Sequence, residues 1–380
     1  FERPKGFLLW FHVASIGELK SILPIIEFYL KKNPSYNFLI TTVTLSSFYE
    51  FKKKYNSNDR VFHQFMPYDF NFLINNFLKN WKPNVATFVD SEIWPNFITK
   101  IKKNNIPLIL INARITGKSF KRWMLLPNFA KKIFGCFDIC LPSNKDTENF
   151  LKILKVRKIK NIGNLKFCSS MSSDSLDKKN LKTLESFNIW CAASTHSPEE
   201  EFCLNTHKYL SKDIKNLLTI IIPRHISRVE KIAKIFGKEG IQYQILKDND
   251  EIKKNTSVLI VNSFGILPKF FKVCKSVFIG KSTIQKLKFD SGQNPIEAAK
   301  EGCKIYHGPY VENFSDIYNF LKENKICKLI SSPDELAINL REDFNSEQYI
   351  NKNDNIEKIN LIGKKILNLT IKEINEFIKI

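Results

Sequence analysis

Three carboxylates and an arginine in the first third of the sequence stand just beyond short apolar runs, where a strand would give way to a turn. The first run ends in His12-Val13-Ala14-Ser15-Ile16-Gly17-Glu18, and an amphipathic segment follows through about Leu30. Two readings of Glu18 are open. Ser15 and Glu18 have the S-x-x-E spacing of a capping box, in which the acid only complements the helix dipole. Alternatively, Gly17 lets a substrate approach the backbone and Glu18 serves as a general base. The run Val85 to Val89 leads into Asp90-Ser91-Glu92-Ile93-Trp94-Pro95-Asn96. Acids so close repel each other and raise one pKa unless a cation such as Arg114 or a ligand intervenes. The structural alternative is a pair of helix-start acids before Pro95. Arg114, in Asn112-Ala113-Arg114, suits bidentate recognition of a carboxylate or phosphate.

The second half offers an anion cradle. Ile220-Ile221-Ile222-Pro223-Arg224-His225 ends an apolar run in a cationic turn, with Arg228 one helical turn on, and both arginines suit a phosphate oxygen. Asn262-Ser263-Phe264-Gly265 and Phe278-Ile279-Gly280-Lys281-Ser282 are short Gly turns whose N–H groups can point at an anion, a common feature taken singly. In Ser291-Gly292-Gln293-Asn294-Pro295-Ile296-Glu297-Ala298-Ala299, Pro295 opens a helix and Glu297 comes within reach of ribose hydroxyls. A plain helix capped by Asn294 is the alternative. Lys118 to Phe134 mixes Lys, Arg and bulky apolar residues, as a surface lying on acidic lipid head groups or an ordinary helix with snorkelling lysines would.

These turns need strands and helices to hold them. Apolar, β-rich runs recur at Phe7 to Val13, Asn37 to Val43, Val85 to Val89, Pro107 to Ile111 and Asp138 to Leu141, with helix-period segments between. After the Ser-rich stretch Cys168 to Ser175 the pattern restarts at Ile189 to Ala193, Leu217 to Ile222, Ser257 to Val261 and Ser276 to Ile279. The alternation predicts two doubly wound α/β domains with parallel sheets, and ligands beyond the carboxyl ends of the strands. The expected division is 1–168, 169–350 and a helical tail over 351–380, which either packs back on the domains or stays solvated.

A chain of 380 residues, 43% hydrophobic, is long enough for two cores. Lys and Arg number 59 against 38 Asp and Glu, and the net charge of +21 attracts some polyanion without naming it. The 8 cysteines have neither C-x-x-C pairs nor zinc spacing, so no metal, no disulfide framework and a reducing compartment are expected. No apolar run approaches the roughly 20 residues of a membrane span. The chain opens on Phe1 rather than Met, so a preceding segment, with or without an anchor, is expected.

In this order and spacing, H-V-A-S-I-G-E, P-Y-D at Pro67 to Asp69, D-S-E-I-W-P-N, N-A-R, G-N-L-K-F at Gly163 to Phe167, S-T-H at Ser194 to His196, P-R-H-x-x-R and N-P-I-E-A-A resemble the 3-deoxy-D-manno-octulosonic acid (Kdo) transferases from near residue 8 to about residue 320. The resemblance implies a glycosyltransferase-B fold, two Rossmann-like doubly wound domains facing a central cleft, the first for a lipid A precursor and the second for CMP-Kdo. It implies Glu18 as proton acceptor and Asp90 and Lys166 as transition-state stabilisers. Pro223, Arg224, Phe264, Gly265, Ile266, Asn294, Pro295, Ile296 and Glu297 fall on the CMP-contacting segments, with His225 beside them. Ser15, Gly17, Glu92 and Arg114 are acceptor-side candidates. Inverting transfer without cofactor or metal, at the cytoplasmic face of a bacterial inner membrane and against its anionic surface, is what the family leads one to expect. The chain departs from the family at Asp90 (usually Glu), Ile266 (an acid), Lys281 (Gly) and Ser291-Gly292-Gln293 (Gly-Gly-His). A nucleotide-sugar epimerase of the same architecture is the rival enzyme, marked by UDP release without an acceptor. A basic membrane- or nucleic-acid-binding protein is the rival without chemistry, but no aromatic-basic RNA motif is present and no nucleic-acid partner is expected.

Overall fold

The computed structural model describes residues 3–169, 174–248, 250–345 and 352–378. The chain divides into one unit of Phe1–Ser170 with Asn360–Ile380 and a second of Met171–Ile359. Part of the Ser-rich joint, 170–173, lies outside the described residues.

The first unit holds six parallel strands: β1 (Phe7–His12), β2 (Tyr36–Thr42), β3 (Val61–Phe65), β4 (Val85–Val89), β5 (Leu108–Ala113) and β6 (Ile139–Pro142), in the order β3-β2-β1-β4-β5-β6. β1, β4 and β5 are apolar almost throughout and buried on both faces, as expected of a parallel sheet covered by helices. One side of the core is aromatic: Trp10 lies against Phe77, Phe88 and Phe97 with centroids 4.8, 5.3 and 5.8 Å away.

The second unit holds seven more parallel strands: β7 (Asn188–Thr195), β8 (Leu217–Pro223), β9 (Tyr243–Leu246), β10 (Val258–Val261), β11 (Ser276–Ile279), β12 (Lys304–His307) and β13 (Cys327–Leu329), in the order β13-β12-β11-β7-β8-β10-β9. Four strands absent from the sequence reading, β3, β9, β12 and β13, carry polar residues inside short runs. Three of them are sheet edges, where burial on both faces is not required.

The final helix, Lys352–Ile378, is no free tail. Its residues to Ile359 belong to the second unit, where Lys352 Nζ donates to the carbonyls of Phe271 and Lys272 at 2.8 and 2.9 Å. From Asn360 it belongs to the first. There Tyr29 Oη donates to Asn375 at 2.8 Å, Lys160 Nζ reaches Glu373 at 2.6 Å, and Ile366, Ile371 and Ile374 are buried.

Each sheet has a point where successive connections leave in opposite directions. It falls between β1 and β4 in the first unit and between β7 and β11 in the second, and crevices at such points take the ligands of open α/β sheets.

Candidate functional site

At the first of these points the β1 turn carries Glu18 and the β4 turn carries Asp90 and Glu92. Ser15 caps the helix Ile16–Lys32, and the capping box is real: Glu18 N donates to Ser15 Oγ at 3.3 Å, while Ser15 Oγ and Ala14 N donate to the two Glu18 oxygens at 2.8 Å each. The cap does not exclude chemistry, because each carboxylate oxygen keeps a second lone pair. Burial raises the Glu18 pKa above the ordinary carboxylate value. The bonds from Ala14 and Ser15 oppose that rise, and the charges of Asp90 and Glu92 add to it.

Asp90 sits in the left-handed region at φ 59°, a conformation that Asp adopts more readily than longer acids, and is 6% exposed. Its backbone extends the ladder beyond β4, N to Ile111 O and O from Arg114 N, both at 3.1 Å. Lys166 brings a cation to its carboxylate, with Nζ 3.6 Å from Asp90 Oδ2. Asn112, buried at φ 50°, accepts from Leu165 N at 2.9 Å, and Asn164 caps Lys166 N at 3.0 Å, so N-A-R and G-N-L-K-F together set the lysine. Glu92 accepts from Trp94 Nε1 at 2.8 Å and lies 3.3 Å from His12 Nε2. Burial raises the Glu92 pKa, but the bonds from His12 and Trp94, with the electrostatic pull of His12, outweigh it and leave the carboxyl below its usual value. The P-Y-D segment is structural. Trp94 cannot cap the helix Pro95–Lys103, and Asp69 does so from a distance, accepting from Asn96 N and Phe97 N at 3.0 and 2.9 Å.

In the second unit the turns after β7 and β11 are tied by Glu199, 1% exposed, whose carboxylate accepts from the backbone N of His196, Lys281, Ser282 and Thr283 and from the Thr283 hydroxyl. Gly280 is required by this junction, since a Cβ there would stand 2.7 Å from Ser194 O and Thr195 Cα. Lys281 takes φ 57°, which explains why the family's Gly suits that position. The His196 ring packs edge-on to His225 at 5.6 Å, and its Nδ1 donates to Ser194 O, 3.0 Å away. Burial lowers the His196 pKa, and Lys281 and His225 lower it further against the pull of the Ser194 carbonyl and Glu199.

Arg224 and His225 are exposed beyond β8, and the Arg224 guanidinium makes no hydrogen bond or ion pair among the described residues. Arg228 is paired within the fold: both terminal nitrogens bind Glu200, a carboxylate with its side chain 1% exposed, at 2.7 Å. Phe264 is 75% exposed beside Gly265 at φ 72°, whereas Ile266 and Pro223 are buried. Asn294 and Glu297 are exposed and Pro295 and Ile296 buried; Asn294 Oδ1 accepts from Ile296 N at 3.1 Å. The helix that follows, Ile296–Lys300, is only five residues long, so its dipole adds little to the cradle that Pro295 was expected to open. Among the described residues no group of three or more His, Cys, Asp or Glu is arranged to hold a metal.

A profile of the family described as "3-Deoxy-D-manno-octulosonic-acid transferase (kdotransferase)" matches residues 2–169. The 3-deoxy-D-manno-octulosonic acid transferase of Rickettsia bellii is 31% identical over 377 residues, 98% of this chain and 88% of its own length. The chain belongs to the Kdo transferase family. It is therefore a glycosyltransferase, and the Haemophilus influenzae member of the family is 27% identical over 96% of the chain and 83% of its own. Among solved structures, a glycosyltransferase from Rickettsia africae aligns with TM-score 0.62 over 99% of this chain and all of its own, at 10% identity. A UDP-N-acetylglucosamine 2-epimerase aligns with TM-score 0.65 over 99% and 97%, at 9% identity. These show the glycosyltransferase-B fold shared by both enzyme classes, while the family separates this transferase from the epimerase rival.

Sequence reasoning named Glu18, Asp90, Glu92 and Lys166, and the structure brings them together. It passed over Glu199, His12 and Thr41. His196-x-x-Glu199 and the buried His at the end of β1 were the available signals, because polar residues at the carboxyl end of the first strand of each sheet flank its switch point.

Proposed function

We propose that the chain transfers Kdo from CMP-Kdo to a hydroxyl of a lipid A precursor, with inversion and without a metal, in lipopolysaccharide synthesis. The observation that carries this reading is Glu18: a carboxylate fixed by two donors, made more basic by burial and by Asp90 and Glu92, at the switch point of its sheet. The acceptor oxygen attacks the anomeric carbon as its proton passes to Glu18. The new C–O bond forms while the bond to the phosphate breaks, and its electron pair leaves with CMP. Single displacement at that carbon inverts it. Positive charge developing on the sugar is met by Asp90, with Lys166 3.6 Å from that carboxylate.

The donor's phosphate is assigned to Arg224, His225 and the N–H groups near them, and Phe264 offers an exposed ring to the base. A lipid acceptor and an anionic membrane face fit the net charge of +21 and the exposed Leu125, Leu126 and Phe129 amid Lys121, Arg122, Lys131 and Lys132. This supports a place at the cytoplasmic face of the inner membrane. The test is incubation with CMP-Kdo and a tetra-acylated lipid A precursor in excess chelator, with the product anomer read by NMR. An inverted Kdo linkage is expected. Retention, or turnover that returns only with added divalent ion, would reject the mechanism.

A further inference from the structure

Glu92 is a carboxylate whose two oxygens are used differently. Oε2 takes Trp94 Nε1 at 2.8 Å and His12 Nε2 at 3.3 Å, whereas Oε1 has no hydrogen bond among the described residues, on a side chain 18% exposed. Behind it lies a buried chain of polar groups. His12 is fully buried, with Nδ1 2.9 Å from Thr41 Oγ1, and Thr41 Oγ1 is 2.9 Å from Trp10 Nε1. An indole N–H only donates, so Trp10 occupies one lone pair of the threonine oxygen. The Thr41 proton then has two acceptors, His12 Nδ1 at 2.9 Å and Phe11 O at 3.5 Å. The nearer one is the imidazole. With Nδ1 accepting, the ring proton lies on Nε2 and points at Glu92. Trp94 stands edge-on to the His12 ring at 5.5 Å and 88°, and Phe88 packs against the ring at 5.2 Å and 62°.

We infer that His12 and Thr41 are positioning residues: the relay Trp10→Thr41→His12→Glu92 locks Oε2 of Glu92 so that Oε1 accepts a hydrogen bond from a hydroxyl of the acceptor sugar, orienting the neighbouring hydroxyl toward Glu18. This rests on the glycosyl-transfer reading, with the acceptor bound at the Glu18 turn. A carboxylate with one oxygen pinned and the other open gives direction as well as charge, and a sugar hydroxyl is the donor it fits. The charged groups around it are Glu18, Asp90 and, through Asp90, Lys166.

Thr41 touches no substrate in this account, which makes it the position to test. Thr41→Val keeps the shape and removes the proton given to Nδ1, while Thr41→Ser restores it. Thr41→Val is expected to raise the KM for the lipid acceptor about tenfold, the loss of one hydrogen bond to a charged group. The KM for CMP-Kdo should stay within about twofold, and Thr41→Ser should return the acceptor KM to near wild type. Equal effects of Val and Ser, or a loss falling on CMP-Kdo, would overturn the assignment. Nitrogen NMR of the His12 ring in the wild-type full chain needs no variant: protonated Nε2 with bare Nδ1 is expected, and a proton on Nδ1 alone would overturn the relay. Wild-type chain without acceptor-dependent turnover would instead reject the transfer reading, and this inference with it.

Discussion

Replacing Glu199 by Gln changes one atom in shape and removes one charge, and the structure says what that does. Oε2 accepts from Lys281 N and His196 N at 2.6 and 3.0 Å, and Oε1 from Ser282 N, Thr283 N and Thr283 Oγ1 at 2.9, 3.1 and 3.0 Å. Whichever oxygen becomes the amide nitrogen, two backbone N–H groups then face a donor. The Thr283 hydroxyl can turn and accept, but the N–H groups cannot. At about 1–3 kcal/mol for each buried donor left unsatisfied, the cost is about 4 kcal/mol. It falls on the junction holding Ser194 and Lys281 at positive φ, 58° and 57°, where backbone strain persists only while the surroundings enforce it. Hydrogen exchange with peptide resolution should show the amides of His196 and 281–283 opening roughly a thousandfold more often, while β1 and β4 keep wild-type protection. Denaturant unfolding of the second unit should fall by a similar free energy. A change below about 1 kcal/mol with protection intact at 281–283 would mean that Glu199 does not hold these turns together.

Arg224→Ala should leave stability within about 0.5 kcal/mol, the norm for a surface change, and weaken CMP binding; Arg228→Ala should cost about 3 kcal/mol by stranding buried Glu200. Calorimetric CMP titration and urea unfolding of both variants read the two effects. Burial holds His207 at about 4, against an ordinary value of 6.5. Because the folded value is depressed, the unfolded chain binds more protons between these limits, so the contribution is present above pH 6.5 and is lost as pH falls toward 4. About 2 kcal/mol should be gone by pH 5, and His207→Gln should flatten that part of a urea-midpoint profile.

The central strands were legible because parallel strands buried on both faces read as unbroken apolar runs, as in Leu8–Phe11 and Ile220–Ile222. The edge strands were not. Val61-Phe62-His63-Gln64-Phe65 buries only Val61, and Cys327-Lys328-Leu329 only its cysteine. Site residues set by local spacing, such as the Ser15–Glu18 box, were visible in order along the chain. Partners set by the fold were not: Lys166 reaches Asp90 across 76 positions, and Asp69 caps a helix 27 positions on. The Glu200 partner of Arg228 was hidden for the same reason, since it stands 28 positions earlier and only the packing of the fold reveals the pair. Sequence types fix what a side chain can do, and the distant partner decides whether it is free to do it.

The claim on which the account stands is that Glu18 takes the acceptor's proton. CMP release from CMP-Kdo, measured with and without tetra-acylated lipid A precursor from pH 4 to 9, tests it most directly in the wild-type chain and Glu18→Gln. The raised Glu18 pKa predicts acceptor-dependent release that fails on the acid side, as protonation removes the base, with a limb above the ordinary carboxylate value of 4.5. The glutamine variant should bind CMP normally and lose at least about a hundredfold in turnover at every pH. Turnover within a few fold of wild type in Glu18→Gln, with the acid limb unmoved, would contradict the account.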